Sequence, residues 1–95
     1  MSAGTKQHFT QRSRLEIAVC LLTNSYDSSR KTRLIYRCNL SVSQFNKYSE
    51  YLIEGELLRK KIETKGIEVY YTTEKGKAFL KDYEKINKTL NKLNF

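Results

Sequence analysis

Leu40-Ser41-Val42-Ser43-Gln44-Phe45-Asn46-Lys47-Tyr48-Ser49-Glu50-Tyr51-Leu52-Ile53-Glu54-Gly55 is the stretch on which the reading of this 95-residue chain turns. Ser41 precedes Gln44 by three positions, the spacing at which each side chain takes the other residue's backbone amide and starts a helix. Phe45, Tyr48, Leu52 and Ile53 then recur at helical spacing and define a buried stripe. Ser43, Gln44, Asn46, Lys47 and Glu50 fall on the other side. Gly55 suits the left-handed position that ends a helix.

Downstream, Leu57 to Thr64 alternates imperfectly and Ile67 to Thr72 is rich in β-formers. Lys65-Gly66 between them is a hairpin turn signal. Which side of the second strand is buried stays open, because Ile67, Val69 and Tyr71 compete with Tyr70. Thr73 caps a last helix from Glu74 onward. In it Phe79, Tyr83, Ile86, Leu90 and Leu93 step by four, three, four and three, a heptad seam.

Upstream, Ser13-Arg14-Leu15-Glu16 is a second capping box. It opens a helix to about Thr23 that is apolar nearly all round and must be covered on more than one side. Asn24 to Ser29 is loop chemistry. A short helix spans about Arg30 to Cys38, with Leu34 and Ile35 as its apolar face and Arg30, Lys31, Arg33 and Arg37 as its charge. Residues 1–11 read as a flexible basic arm, residues 12–76 as one folded domain, and residues 77–95 as a C-terminal helix suited to dimerisation.

Charge points to the partner. Eighteen Lys and Arg against ten Asp and Glu give a net +8, which suits a polyanion. The excess lies in residues 1–38 and 73–95, while residues 39–72 balance. The polar first eleven residues carry no export signal, and no apolar run reaches the roughly twenty residues of a membrane span. A cytoplasmic, nucleoid-associated protein is expected. Cys20 and Cys38 therefore read as reduced packing thiols, with a bridge between them disfavoured by that compartment. The one histidine, His8, leaves no zinc-ligand set, and no nucleophile–base pair or glycine-rich phosphate loop is present. Neither enzyme activity nor a cofactor is expected.

Helix, helix, helix, hairpin, helix is the element order of an α+β winged helix-turn-helix. The run from Leu40 to Phe45 with Tyr48, Leu52, Gly55 and Leu57-Leu58, then Tyr70-Tyr71-Thr72-Thr73-Glu74-Lys75-Gly76, resembles the small archaeal winged-helix DNA-binding proteins. Thr72 stands where that family usually has an aliphatic residue. The resemblance covers Ser13 to about Leu93. It implies double-stranded DNA as partner, a role in transcription regulation or chromatin, and a homodimer formed by an antiparallel coiled coil of the last helix.

The residues suit that reading. Major-groove readout needs short polar or bidentate side chains near a helix N-terminus, and Ser43, Gln44, Asn46 and Lys47 supply them. Glu50 and Glu54 confine the approach to the helix's first half. Lys31, Thr32 and Arg33 suit phosphates, as do Arg59, Lys60, Lys61 and Lys65 in the hairpin. Lysines on an exposed strand also protect an edge, so the hairpin charge has two explanations. Phe79, Tyr83, Ile86, Leu90 and Leu93 are the candidate dimer interface. The alternative of another class is a winged-helix adaptor that binds protein and not DNA. RNA binding is weaker, because Tyr70 and Tyr71 sit on a short hairpin and not on an open aromatic sheet.

Overall fold

A computed structural model describes residues 13–93; the arm expected over residues 1–11 lies outside them. Its elements are α1 (Arg14–Asn24), β1 (Ser29–Arg30), α2 (Lys31–Arg37), α3 (Val42–Glu54), β2 (Leu58–Ile62), β3 (Glu68–Thr72) and α4 (Glu74–Lys92). The three strands form one antiparallel sheet in the order β1-β3-β2. The fold is a winged helix-turn-helix with a long C-terminal helix.

Local chemistry starts each long helix. Ser13 accepts from the Glu16 amide at 3.1 Å while Glu16 takes the Ser13 amide at 3.0 Å. Ser41 and Gln44 repeat the exchange at 3.0 and 2.9 Å. Thr73 accepts from the Gly76 amide at 3.0 Å and donates to the Glu56 carbonyl at 2.6 Å, so one hydroxyl caps α4 and ties it to the turn before β2.

Helix ends differ in one respect from the expectation. Gly55 has φ −79° and is not left-handed; Glu56 takes that role at φ 64°. The Glu56 amide donates to Ile53 and the Leu57 amide to Leu52, the paired bonds of a Schellman ending. Asn39, at φ 53°, ends α2 by the same pair, with Asn39 donating to Tyr36 and Leu40 to Ile35. The reversal places Leu57 and Leu40 back on the core.

The core joins Ile17, Leu21 and Leu22 of α1, Leu34 of α2, Phe45 and Leu52 of α3, and Leu58 and Tyr70 of the sheet. Phe45 meets the Tyr70 ring edge-on, with centroids 5.2 Å apart. That contact settles the open question of β3: Tyr70 and Thr72 face the core. Val69 is also buried, on the opposite side of the sheet. Thr72, the departure from the aliphatic pattern, pairs with Leu58 and donates its hydroxyl to the Leu22 carbonyl at 2.7 Å. The polar side chain is thus satisfied where an aliphatic one would only fill space.

Three further expectations change. Ser29 and Arg30, expected as loop and helix start, pair with Tyr70 and Val69 as a third strand, and Arg30 is the residue before α2. Ile53, assigned to the buried stripe of α3, is 36% exposed, and Ser49 is buried instead. Cys20 and Cys38 form a disulfide. Their Cα atoms lie 5.9 Å apart, inside the usual range of a bridge, because α1 packs directly on the end of α2. The expectation of free thiols rested on compartment alone and did not include that proximity.

The radius of gyration is 15.0 Å, against roughly 12 Å for a compact chain of this length. The difference is α4, whose first turns pack on α1 and β3 while Ile86, Leu90 and Leu93 stand 45–60% exposed.

Candidate nucleic-acid interface

The solvent face of α3 starts from its sequence spacing. Ser43, Asn46, Lys47, Glu50 and Glu54 are all exposed and recur at helical spacing, so they share one side. The opposite side is held by Phe45, Ser49 and Leu52 in the core. Rotation of α3 is therefore fixed by burial, and the polar side cannot turn inward. Gln44 is exposed as expected, but its carbonyl oxygen accepts from the Ser41 amide. Its NH2 group is left to donate, whereas bidentate adenine reading also needs the carbonyl. Lys47 leans over the Tyr48 ring, 5.7 Å from its centroid.

The turn before α3 is short, so α2 presents its charge close by. Thr32 and Arg33 are exposed, while Lys31 is half-buried with its ammonium 5.6 Å from the Phe45 centroid. That stacking bridges the start of α2 to the core side of α3. Tyr36, outside the expected phosphate-binding set, is 83% exposed between Arg33 and Arg37. Its place beside two arginines on a short helix was the available signal.

The hairpin divides the lysines of the wing. Lys60 lies opposite Tyr70, on the sheet face that packs on α3, and its ammonium approaches Glu68 at 3.9 Å. Lys61 lies opposite Val69 and so projects from the other face, together with Arg59. Lys65 occupies the tip, left-handed at φ 66°, before Gly66 at φ 74°. Lys60 thus shares the side of the sheet that packs on α3, and Lys61 does not.

The Tyr70 hydroxyl donates to Glu68 at 3.4 Å. Burial first, then the Glu68 charge and this hydrogen bond, push its pKa from 10.0 up to about 12. Tyr70 therefore stays neutral under the core at any ordinary pH. Among the described residues no three His, Cys, Asp or Glu side chains group as metal ligands, and no helix is long and apolar enough to cross a membrane.

The sequence profile of the winged helix-turn-helix family matches residues 11–91, so the chain belongs to that family. No curated protein matches it. Among solved structures, it is similar to Sso10a-2, a DNA-binding protein from Sulfolobus solfataricus, at 28% identity and a TM-score of 0.73 over 86% of this chain and 85% of that one. ZitR of Lactococcus lactis, a zinc-responsive MarR family member, superposes at a TM-score of 0.61 with 22% identity, over 87% of this chain and 60% of that one. The adhesin competence repressor AdcR of Streptococcus pyogenes superposes at 0.64 with 20% identity, over 94% and 67%. At those identities the last two likenesses concern the fold.

Proposed function

We propose that this protein binds duplex DNA, with α3 in the major groove and α2 and the wing on flanking phosphates, as a transcription regulator or a chromatin-associated protein. The observation that carries the reading is the locked rotation of α3. The core holds Phe45, Ser49 and Leu52, which leaves Ser43, Asn46 and Lys47 facing solvent at the end nearest the basic α2. The likeness to a DNA-binding protein along nearly its whole length supports it.

Phosphates are held by Arg33, Lys60 and Lys65, while Ser43, Asn46 and Lys47 meet base edges. Lys31 acts from its stacked position over Phe45, and the Gln44 amide donates from its capped pose. Glu50 and Glu54 repel phosphate and limit contact to the first half of α3. Dimerisation belongs to the same proposal. Ile86, Leu90 and Leu93 form an exposed apolar row on α4, and pairing with a second copy would bury it and set two α3 helices on one duplex.

Fluorescence anisotropy of a labelled duplex of random sequence tests this. Replacing Asn46 and Lys47 together by Ala should weaken binding a few-fold at low salt, through loss of the Lys47 charge at the duplex, and should remove about 1–3 kcal/mol of base discrimination per lost contact on a preferred sequence. Unchanged affinity in that variant would move the reading to a protein adaptor.

A further inference from the structure

We propose that the outer face of the sheet, turned away from α3, is a second nucleic-acid site that takes a single strand. The third strand creates it. The registers Arg30↔Val69↔Lys61 and Arg59↔Tyr71 put three cations, an aliphatic and an aromatic side chain on one side of three adjacent strands.

This face is concave. A groove of about 980 Å³ runs between the wing and the start of α4, with Val69 and Tyr71 along the sheet and Tyr26 and Lys77 across from them. The Lys77 ammonium sits 4.7 Å from the Tyr26 ring centroid. A second depression of about 650 Å³ shares Tyr26, Asp27, Ser28 and Val69 with the first and continues to Arg30 and Arg33. Ser28, at the junction, holds φ 105°. Such a conformation is costly for a residue with a Cβ and collects at ligand sites.

The shape selects among nucleic acids. Tyr71 and Tyr26 line one depression, and the bases of a duplex, stacked on one another, are not free to lie on these rings. An unpaired strand can lay bases on Tyr71 and Tyr26 and phosphates along Arg59, Lys61 and Arg30.

Four carboxylates also line the groove: Asp27, Glu56, Glu63 and Glu74. Glu74 is paired with Lys77 at 3.7 Å. The others lower the electrostatic attraction, and they accept hydrogen bonds from the exocyclic amino group of cytosine, which thymine lacks. An oligodeoxycytidine should therefore bind more tightly than an oligodeoxythymidine.

The test is anisotropy of a labelled oligodeoxycytidine of about ten nucleotides, within the length range of known single-strand sites. Wild type is compared with Tyr26→Ala/Tyr71→Val, Arg59→Gln and Asn46→Ala/Lys47→Ala. Loss of both rings should weaken the oligomer at least tenfold, and Arg59→Gln, an exposed change that spares the fold, a few-fold. Both should leave duplex affinity within about twofold, and the α3 double variant should do the reverse. The α3 variant reports on the duplex reading alone, so the two proposals fail separately. Absence of oligomer binding, oligomer binding indifferent to Arg59→Gln, oligomer affinity that falls with the α3 variant, or competition by deoxycytidine monophosphate as strong as by the oligomer would each overturn the proposal.

Discussion

Thr72 shows how one hydroxyl replaces a run of contacts. Its side chain is buried and supplies the partner of the Leu22 carbonyl at the end of α1, while its amide donates to Ser25. Thr72→Val keeps the volume but leaves that carbonyl unsatisfied, which should cost about 1–3 kcal/mol in denaturant unfolding. Gly76 is fixed by approach: a Cβ there would collide with the Leu57 carbonyl oxygen and meet Thr72 Cγ2 at 2.6 Å. Tyr70 sets an alkaline limit. Its folded pKa of about 12 exceeds the ordinary 10.0, so the unfolded chain loses this proton first. The stabilisation is whole below pH 10 and is lost as pH climbs towards 12. Thermal melts across that window should fall for wild type, and Tyr70→Phe should flatten that part of the fall.

At the scale of elements, the disulfide is the staple of the helix-turn-helix. Cys20 lies in α1, and Cys38 is the residue that ends α2. Closing a loop of 18 residues removes unfolded-chain entropy worth about 3 kcal/mol. Reduction, or Cys20→Ser/Cys38→Ser, should therefore lower the thermal midpoint; an unchanged midpoint would mean the bridge adds nothing to stability. This pairing was not legible in the chain, because nothing local reports that α1 and the end of α2 meet. The elements that were legible are those set by neighbours in sequence: the capping boxes at Ser13 and Ser41, the Thr73 cap, and the stripe of Phe45 and Leu52. What escaped was nonlocal. Strand β1 has two residues and exists only through Tyr70 and Val69. The left-handed residue after α3 was placed one position early, at Gly55. Its preference for that conformation was real, but the hydrogen-bond pair that returns Leu57 to the core falls at Glu56.

For the candidate site, spacing located the exposed face of α3 and the cations of α2, since helical period alone separates them from Phe45. Lys60 and Lys61 could have been divided by strand alternation, once the face of Tyr70 was known. The outer groove depends on β1 and could not be read at all.

On the scale of the whole molecule, α4 sets the shape and the proposed assembly. The molecule extends 49 Å along its longest axis, with Ile86, Leu90 and Leu93 exposed towards its far end. A single charge in that row should disrupt a dimer without touching the core. Leu90→Glu is expected to reduce the sedimentation mass from twice that of the chain to that of one chain. Wild type already sedimenting as a monomer would remove the dimer from the account. In a dimer the variant should also bind duplex DNA more weakly, because two linked contacts become one.

Phosphate contacts anchor the proposed interface, and the salt dependence of duplex binding reports on them. Anisotropy of a random-sequence duplex measured over a salt series should give a logarithm of affinity that falls linearly with the logarithm of salt. A slope steeper than about −3.5 corresponds to four or more phosphates neutralised. No binding at low salt, or affinity independent of salt, from a chain carrying a net +8 would contradict the account.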